Sequence, residues 1–218
     1  AVEVTDANGC MQSGETFIQQ KQQLFAVADF KNPNCHDGAD GTARLSAIFY
    51  GAAAADPNLF SYLWSTTPAQ TGKIATGLQA AQSYAVTITD AQGCSAEQTF
   101  TLGNPSLVEA SIPAFAGVKC NGDANGWAAA EGDGGTAPYH YFWSPGPISQ
   151  TDSLAQGLAA GLYRVSVIDA RGCIAETTVT IGEPAVLKIS VLKTDVPCFG
   201  QNAGSASAQA SGGTSPYQ

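Results

Sequence analysis

A ten-residue pattern that occurs three times constrains the fold of this chain more than any other feature. Each copy holds a short alternating run, an Asp-Ala-x-Gly turn and a cysteine, at residues 1–10, 85–94 and 164–173. Alternation followed by a glycine turn is typical of a β-hairpin in which the glycine is left-handed and forms a bulge. The aspartates are predicted to cap these turns through their own backbone: Asp6, Asp90 and Asp169.

Three further landmarks recur in one order, at a period of about 80 residues that indicates a tandem repeat. They are a cysteine loop (Cys35, Cys120, Cys198), an aromatic run that ends in tryptophan (Trp64, Trp143), and a Gly-Leu turn before tyrosine (Tyr84, Tyr163). The landmarks divide the chain into a truncated repeat, two complete repeats and the start of another: 1–23, 24–106, 107–185 and 186–218. We therefore expect the sequence to be a segment of a longer repeat array.

Each complete repeat reads as a series of short strands separated by turn residues. In 107–185 the predicted strands are Val108–Ile112, Gly126–Glu131, Tyr139–Ser144, Ser153–Gln156, Leu162–Ile168 and Ala175–Ile181. No sustained 3.6-residue apolar period is present, so helices should be scarce. The pattern predicts an all-β chain of tandem immunoglobulin-like β-sandwich repeats of about 80 residues.

Most of the aromatic landmarks of the repeat are predicted to have structural roles. Trp64 and Trp143 lie in the strand where immunoglobulin-like sandwiches bury a tryptophan, so core packing is favoured over ligand stacking. Tyr84 and Tyr163 follow a turn and are predicted tyrosine corners, each tied back to a loop through its hydroxyl. Trp127 has no counterpart in the other repeats and is therefore the candidate interface residue.

Charge and motif content argue against several classes of function. Nine basic and eighteen acidic residues give a net charge of −9, which disfavours a nucleic-acid groove. No apolar run approaches the length of about 20 residues that spans a bilayer, so no membrane insertion is expected. No nucleophile elbow, phosphate loop or His-Glu-x-x-His motif occurs, and we expect no catalytic residues and no enzymatic activity.

The cysteine loops contain the best candidates for a metal site, and these are weak. Asp37, Asp40, Asp123 and Asn125 supply oxygen atoms at calcium-like spacing, but the distal glutamate of an EF-hand is missing. A plain turn is favoured over calcium, and no cofactor is predicted. Zinc is disfavoured because histidine is scarce and no Cys-x-x-Cys occurs.

The landmarks resemble the SprB repeat of gliding-motility adhesins from the Bacteroidota. The matching runs are Cys120–Gly126, Cys198–Gly204, Gly134–Tyr139, Gly212–Tyr217, Tyr139–Trp143, Gly157–Tyr163 and the Asp-Ala-x-Gly-Cys hairpins. The resemblance is looser in 24–106, where residues 50–57 replace the Gly-Gly-Thr-x-Pro run, and residues 19–23 replace a Gly-x-Pro breaker. It implies very large cell-surface proteins exported by the type IX secretion system that serve adhesion, gliding or prey contact.

The six cysteines suggest disulfides in an oxidising compartment, with two competing pairings. Pairing inside each repeat gives Cys35–Cys94 and Cys120–Cys173, with Cys10 and Cys198 bonded elsewhere. Pairing between successive repeats gives Cys35–Cys173. In an immunoglobulin-like sandwich the loop and hairpin cysteines lie at opposite ends of strands about 20 Å long, whereas a disulfide needs Cα atoms within about 7 Å. That geometry favours the second pairing, but disulfides within domains are the commoner habit, so both stay open.

Taken together, these features predict an extracellular structural stalk or filament segment of an adhesin-like cell-surface protein. The alternative is a carbohydrate- or partner-binding repeat module. The expected partners are neighbouring repeats of the same long chain, with a lateral homo-oligomer, surface glycans or another cell's surface as further candidates. No nucleic acid is expected among them.

Overall fold

A computed structural model describes residues 1–18, 20–145 and 151–218. These residues form β-strands joined by turns, and Pro57–Leu59 is their one helical segment, a single 3-10 turn. The chain divides into two compact units. Unit 1 holds residues 1–32 and 39–103, and unit 2 holds residues 33–38 and 104–218. The short loop 33–38 therefore belongs to unit 2, although the residues on both sides of it belong to unit 1.

Unit 1 contains a hairpin and two larger antiparallel sheets. Its strands are β1 (Val2–Thr5), β2 (Met11–Gly14), β3 (Leu24–Lys31), β4 (Gly41–Tyr50), β5 (Ala53–Ala54), β6 (Phe60–Trp64), β7 (Ile74–Leu78), β8 (Ser83–Asp90) and β9 (Ser95–Thr101). Strands β1 and β2 form the hairpin. Strand β4 pairs with β3, β5 and β7 in one sheet, and β8 pairs with β6 and β9 in the other.

Unit 2 has the same arrangement. Its strands are β10 (Glu109–Ala116), β11 (Gly126–Asp133), β12 (His140–Ser144), β13 (Leu154–Leu158), β14 (Gly161–Ile168), β15 (Ile174–Ile181), β16 (Lys188–Thr194) and β17 (Ser205–Ser211). One sheet has the order β10-β11-β13 and the other β12-β14-β15, and β16 and β17 form a hairpin. All six strands predicted in 107–185 are present, with ends shifted by a few residues.

The division of strands between the sheets identifies the architecture. In each unit the first, second and fourth principal strands form one sheet, and the third, fifth and sixth form the other. This is the split of strands A, B and E from strands C, F and G in immunoglobulin sandwiches. The predicted all-β, immunoglobulin-like fold is confirmed.

The core of each unit follows from strand alternation. In β6, Phe60, Tyr62 and Trp64 are buried while the two residues between them are exposed, because successive side chains of a strand point to opposite faces. The largest fully buried side chains of unit 1 are Trp64, Ile48, Leu78, Ile88 and Leu102. Unit 2 buries Trp143, Leu158, Val165, Val167 and Ile181.

The hairpin turns carry the predicted left-handed glycines. Gly9, Gly93 and Gly172 have φ angles of 84°, 84° and 85°, a conformation that glycine adopts without a steric penalty. Among the described residues, no helix combines the length and apolarity needed to cross a membrane.

Candidate functional site

The third hairpin turn is organised around the carboxylate of Asp169, which is 3% exposed. Its Oδ1 accepts the backbone N–H groups of Arg171 and Cys173, each at 2.8 Å. Its Oδ2 accepts the N–H of Thr136 at 2.9 Å. Burial by itself would raise the pKa of this carboxyl, but the N–H donors outweigh burial and hold the pKa below its usual value. The turn therefore presents Cys173 from a fixed backbone.

The other two hairpins have the same geometry. Asp6 Oδ1 accepts the N–H of Cys10 at 2.8 Å, and Asp90 Oδ1 accepts the N–H of Cys94 at 2.8 Å. In all three turns the aspartate N–H donates to the carbonyl oxygen of the cysteine at 3.0 Å. The three aspartates thus hold their cysteines in equivalent positions.

The loop 33–38 presents Cys35 beside the Gly-Asn-Pro breaker at 103–105. The N–H of Gly38 donates to the Cys35 carbonyl at 3.0 Å and closes the turn. The N–H of Asp37 donates to Asn104 Oδ1 at 2.9 Å, and Asn104 Nδ2 donates back to Asp37 Oδ1 at 2.8 Å. The His36 ring lies 2.8 Å from the Pro105 carbonyl. Two consecutive loop residues are therefore hydrogen-bonded to the segment that leads into the next repeat.

A disulfide joins Cys35 to Cys173, with 5.5 Å between their Cα atoms and a sequence separation of 138 residues. Both cysteines are half-buried. Of the two pairings left open by the sequence, the structure contains the one between successive repeats. The within-repeat pairs Cys35–Cys94 and Cys120–Cys173 are not formed, and the remaining thiols are exposed and free: Cys10, Cys94, Cys120 and Cys198.

The Cys120 loop repeats the construction of the Cys35 loop. The N–H of Asp123 donates to the Cys120 carbonyl at 3.1 Å. Asn121 Nδ2 donates to the Pro184 carbonyl at 3.0 Å, and the N–H of Gly122 donates to Glu183 Oε2 at 3.0 Å. The residue before the proline, Asn104 or Glu183, thus plays one role in both complete repeats. The repeated Gly-x-Pro breaker was the sequence signal for this role, but its middle residue was not among the predicted site residues.

The predicted core aromatics are hydrogen-bonded to nearby loops. Trp64 and Trp143 are 1% and 8% exposed, and their indole N–H groups donate to Gly72 O at 2.7 Å and Asp152 O at 3.1 Å. The Tyr84 hydroxyl accepts the N–H of Gln79 at 2.8 Å. The Tyr163 hydroxyl donates to Ala159 O at 3.2 Å. Each tyrosine hydroxyl therefore reaches the loop just before its own strand.

Trp127 lies in β11 and is half-buried. It lines an open groove of about 590 Å³ whose described lining is mostly apolar and includes Leu154, Gln156 and Gly157. This volume is within the range of roughly 300–1,000 Å³ that is common for ligand pockets. The candidate interface residue therefore sits in the wall of a depression on unit 2.

Three of the calcium candidates, Asp37, Asp123 and Asn125, accept hydrogen bonds from other groups of the protein. Asp123 Oδ2 accepts from Asn125 Nδ2 at 3.0 Å, and Asn125 Oδ1 accepts the N–H of Lys119 at 2.9 Å. Asp37 is bonded to Asn104 as described above, and Asp40 lies next to the start of β4. Within the ranges that the structure describes, no three His, Cys, Asp or Glu side chains are grouped to hold a metal ion.

A second charged cluster, centred on Lys21 in unit 1, is absent from the sequence-based predictions. Lys21 Nζ lies 2.5 Å from Asp90 Oδ2 and 3.1 Å from the Tyr50 hydroxyl, and Tyr50 donates to the same Asp90 oxygen. The hydrogen bond from Lys21, followed by that from Tyr50, holds the pKa of Asp90 well below its usual value. The hydrogen bond to Asp90 raises the pKa of Lys21. The sequence feature that could have pointed to Lys21 is the Gln-rich run 19–23, which replaces the Gly-x-Pro breaker of the other repeats.

Two segments of the chain match a known protein family. The SprB repeat model matches residues 116–147 and 191–218. These segments contain the Cys120 and Cys198 loops and the Gly-Gly-Thr runs, so the resemblance is confirmed over them. SprB repeats are non-catalytic structural modules, typical of large surface adhesins, and occur in cell-surface proteins.

Among solved structures, the chain is similar to the three N-terminal domains of the Highly Immunogenic Outer Capsid protein (Hoc) of bacteriophage RB49. The sequence identity is 16%, the TM-score is 0.44, and the match covers 90% of this chain and 71% of that chain. No curated protein matches the chain in sequence.

Proposed function

We propose that this chain is a structural stalk or filament segment of a large extracellular adhesin-like surface protein that serves gliding, attachment or prey contact. The observation that carries the proposal is the construction of the repeat junction. In both complete repeats the cysteine loop is hydrogen-bonded to the breaker that leads into the following repeat. A repeat whose exit segment is held against its own first loop suits a spacer better than a flexible tether.

The disulfide supports an extracytoplasmic location for the stalk. Cys35 and Cys173 are bonded, and structural disulfides persist mainly in oxidising environments such as the cell exterior. The SprB repeat match points the same way, because these repeats occur in cell-surface proteins. The low charged fraction of 12% is compatible with lateral packing of β-surfaces in a filament.

Immunogold electron microscopy of intact cells tests the proposal. Antibodies raised against this chain should label thin threads that extend from the cell surface, and cells that lack the gene should show no label. A lone labelled thread indicates a spacer, whereas regular lateral contacts indicate a filament subunit. Label confined to the cell interior would contradict the proposal.

The groove at Trp127 supports a second candidate function, a carbohydrate-binding repeat. A tryptophan face can stack on a sugar ring, and Trp127 stands in a groove of ligand size. Saturable binding on a glycan array should then disappear in Trp127→Ala. The matched control is Phe142→Ala, which removes an aromatic side chain that is 51% exposed on the other sheet of unit 2. Absence of binding by the unmodified chain would leave the stalk as the remaining candidate.

A further inference from the structure

The free cysteines stand in the same settings as the bonded pair. The Cys120 loop shares the turn, the contact with the breaker proline and the side-chain acceptor of the Cys35 loop. The Cys94 hairpin shares the aspartate-centred turn of the Cys173 hairpin. Both free thiols are exposed. Each free cysteine therefore has the surroundings of one of the two bonded cysteines, Cys35 or Cys173.

The bonded pair defines a rule for which halves match. Cys35 is the loop cysteine of the repeat 24–106, and Cys173 is the hairpin cysteine of the repeat that follows it. By this rule Cys120 and Cys198 require hairpin cysteines from later repeats. Cys94 and Cys10 require loop cysteines from earlier repeats. None of the four is the proper partner of another, which explains why all four are free together.

We propose that Cys120 and Cys94 are half-sites for further disulfides of the Cys35–Cys173 kind, each taking its partner from an adjacent repeat. The partner of Cys120 is the cysteine of an Asp-x-x-Gly-Cys hairpin, and the partner of Cys94 is the cysteine of a breaker-bound loop. The result is one covalent staple per repeat junction. This proposal deepens the stalk function and rests on it only for the biological setting.

The chemistry of each staple is a two-electron oxidation. The two thiols lose two protons and two electrons as their S–S bond forms. An oxidised protein disulfide accepts them, its own S–S bond breaks, and it leaves as a dithiol. The exposed Cys120 and Cys94 thiols are accessible to such a reagent.

Two extended chains test the two half-sites. Because Gly212–Tyr217 aligns with Gly134–Tyr139, a copy of residues 140–185 placed after Tyr217 completes a repeat and supplies a hairpin cysteine. Because Ala1 aligns with Arg164, a copy of residues 107–163 placed before Ala1 supplies a loop cysteine. Each chain is oxidised by a dithiol–disulfide oxidoreductase, alkylated and mapped without reduction.

The first chain should yield a peptide that joins Cys120 to the appended hairpin cysteine, and the second a peptide that joins Cys94 to the added loop cysteine. The Cys35–Cys173 peptide in the same digest reports that the original junction is intact. Cys120→Ser should leave the appended cysteine alkylated. Bonding of Cys120 to Cys198 or Cys94, or complete alkylation of Cys120 and Cys94 in both chains, would overturn the proposal. These results are independent of surface labelling, so failure of the staples and failure of the stalk function are distinguishable.

Discussion

The ammonium group of Lys21 lies 2.5 Å from a carboxylate oxygen of Asp90, whose side chain is 4% exposed. In unit 2 the equivalent oxygen, on Asp169, accepts the backbone N–H of Thr136 at 2.9 Å. The sequence of unit 1 has no Gly-Gly-Thr run, and this Asp90 oxygen accepts from the side chains of Lys21 and Tyr50. A lysine from another segment of the chain therefore replaces a backbone donor, and the hairpin carboxylate is satisfied in both units.

Lys21→Met should destabilise unit 1 and leave unit 2 unchanged. The substitution removes the one charged donor described for a nearly buried carboxylate and leaves it with neutral donors, and removal of one partner of such an ion pair is unfavourable. Hydrogen exchange should become faster in the amides of β8 and remain unchanged in those of β14. Lys31→Met is the matched control, because it removes an exposed lysine of the same unit and should change neither strand. Equal acceleration in both units would contradict the assignment.

The pH dependence of unit 1 should reveal the same interaction. The folded pKa of Asp90 is lowered from 3.8, chiefly by the hydrogen bonds from Lys21 and Tyr50. Its contribution to the free energy of unfolding is therefore complete above the ordinary pKa and is lost as the pH falls from there through the lower folded value. The pKa of Lys21 is raised from 10.5, so the lysine contribution is complete below that value. The difference in Tm between the wild type and Lys21→Met should be constant from about pH 5 to 9 and shrink below about pH 4. A constant difference across the acid range would refute this.

Two glycines of unit 2 should differ sharply in their tolerance of alanine. Gly134 and Gly172 both have positive φ, at 66° and 85°. A Cβ on Gly134 would overlap the carbonyl oxygen of Leu107, whereas a Cβ on Gly172 would meet nothing within 4 Å. Gly172→Ala should cost about 1–2 kcal/mol for the left-handed backbone alone. Gly134→Ala should cost more, because the backbone must also shift. Denaturant unfolding measures both, and equal losses would show that the overlap relaxes freely.

The particular residues involved explain how much of this structure could be predicted from the sequence. Strands such as β14 were predictable because Val165 and Val167 alternate with outward residues, and alternation is a local signal. The turn aspartates were predictable because the Asp-Ala-x-Gly pattern is also a local signal. The disulfide remained open because its pairing depends on which loops meet across 138 residues. Lys21 was missed because its partner lies 69 positions away and the run around it has no periodicity.

Removal of the disulfide should lower the free energy of unfolding of the chain. The double variant Cys35→Ser with Cys173→Ser should lose about 2–5 kcal/mol, the usual range for a native disulfide. The control, Cys94→Ser with Cys120→Ser, changes two exposed free cysteines and should stay within about 0.5 kcal/mol of the wild type. Denaturant unfolding without reductant compares them. Equal losses in the two double variants would mean that the bond adds no stability.

Calcium should not stabilise the chain. Asp123 and Asn125 already accept hydrogen bonds within the Cys120 loop, and Asp37 accepts one from Asn104. A ligand that binds only the folded state would raise Tm. Melting curves with calcium and with a chelator should therefore coincide. A rise in Tm with calcium that Asp123→Asn abolishes would contradict this expectation.

The position of the disulfide also decides which part of the chain carries a pulling force. A load applied before Cys35 and after Cys173 passes directly through the bond, so residues 36–172 lie off its path. Unfolded and extended, those residues would span roughly 450–500 Å at 3.3–3.6 Å per residue. While the bond is intact, unfolding of the strands between the two cysteines does not lengthen the chain. Reduction of this one bond would add the length of residues 36–172 to the maximum extension of the chain. The redox state of the two cysteines therefore sets that maximum.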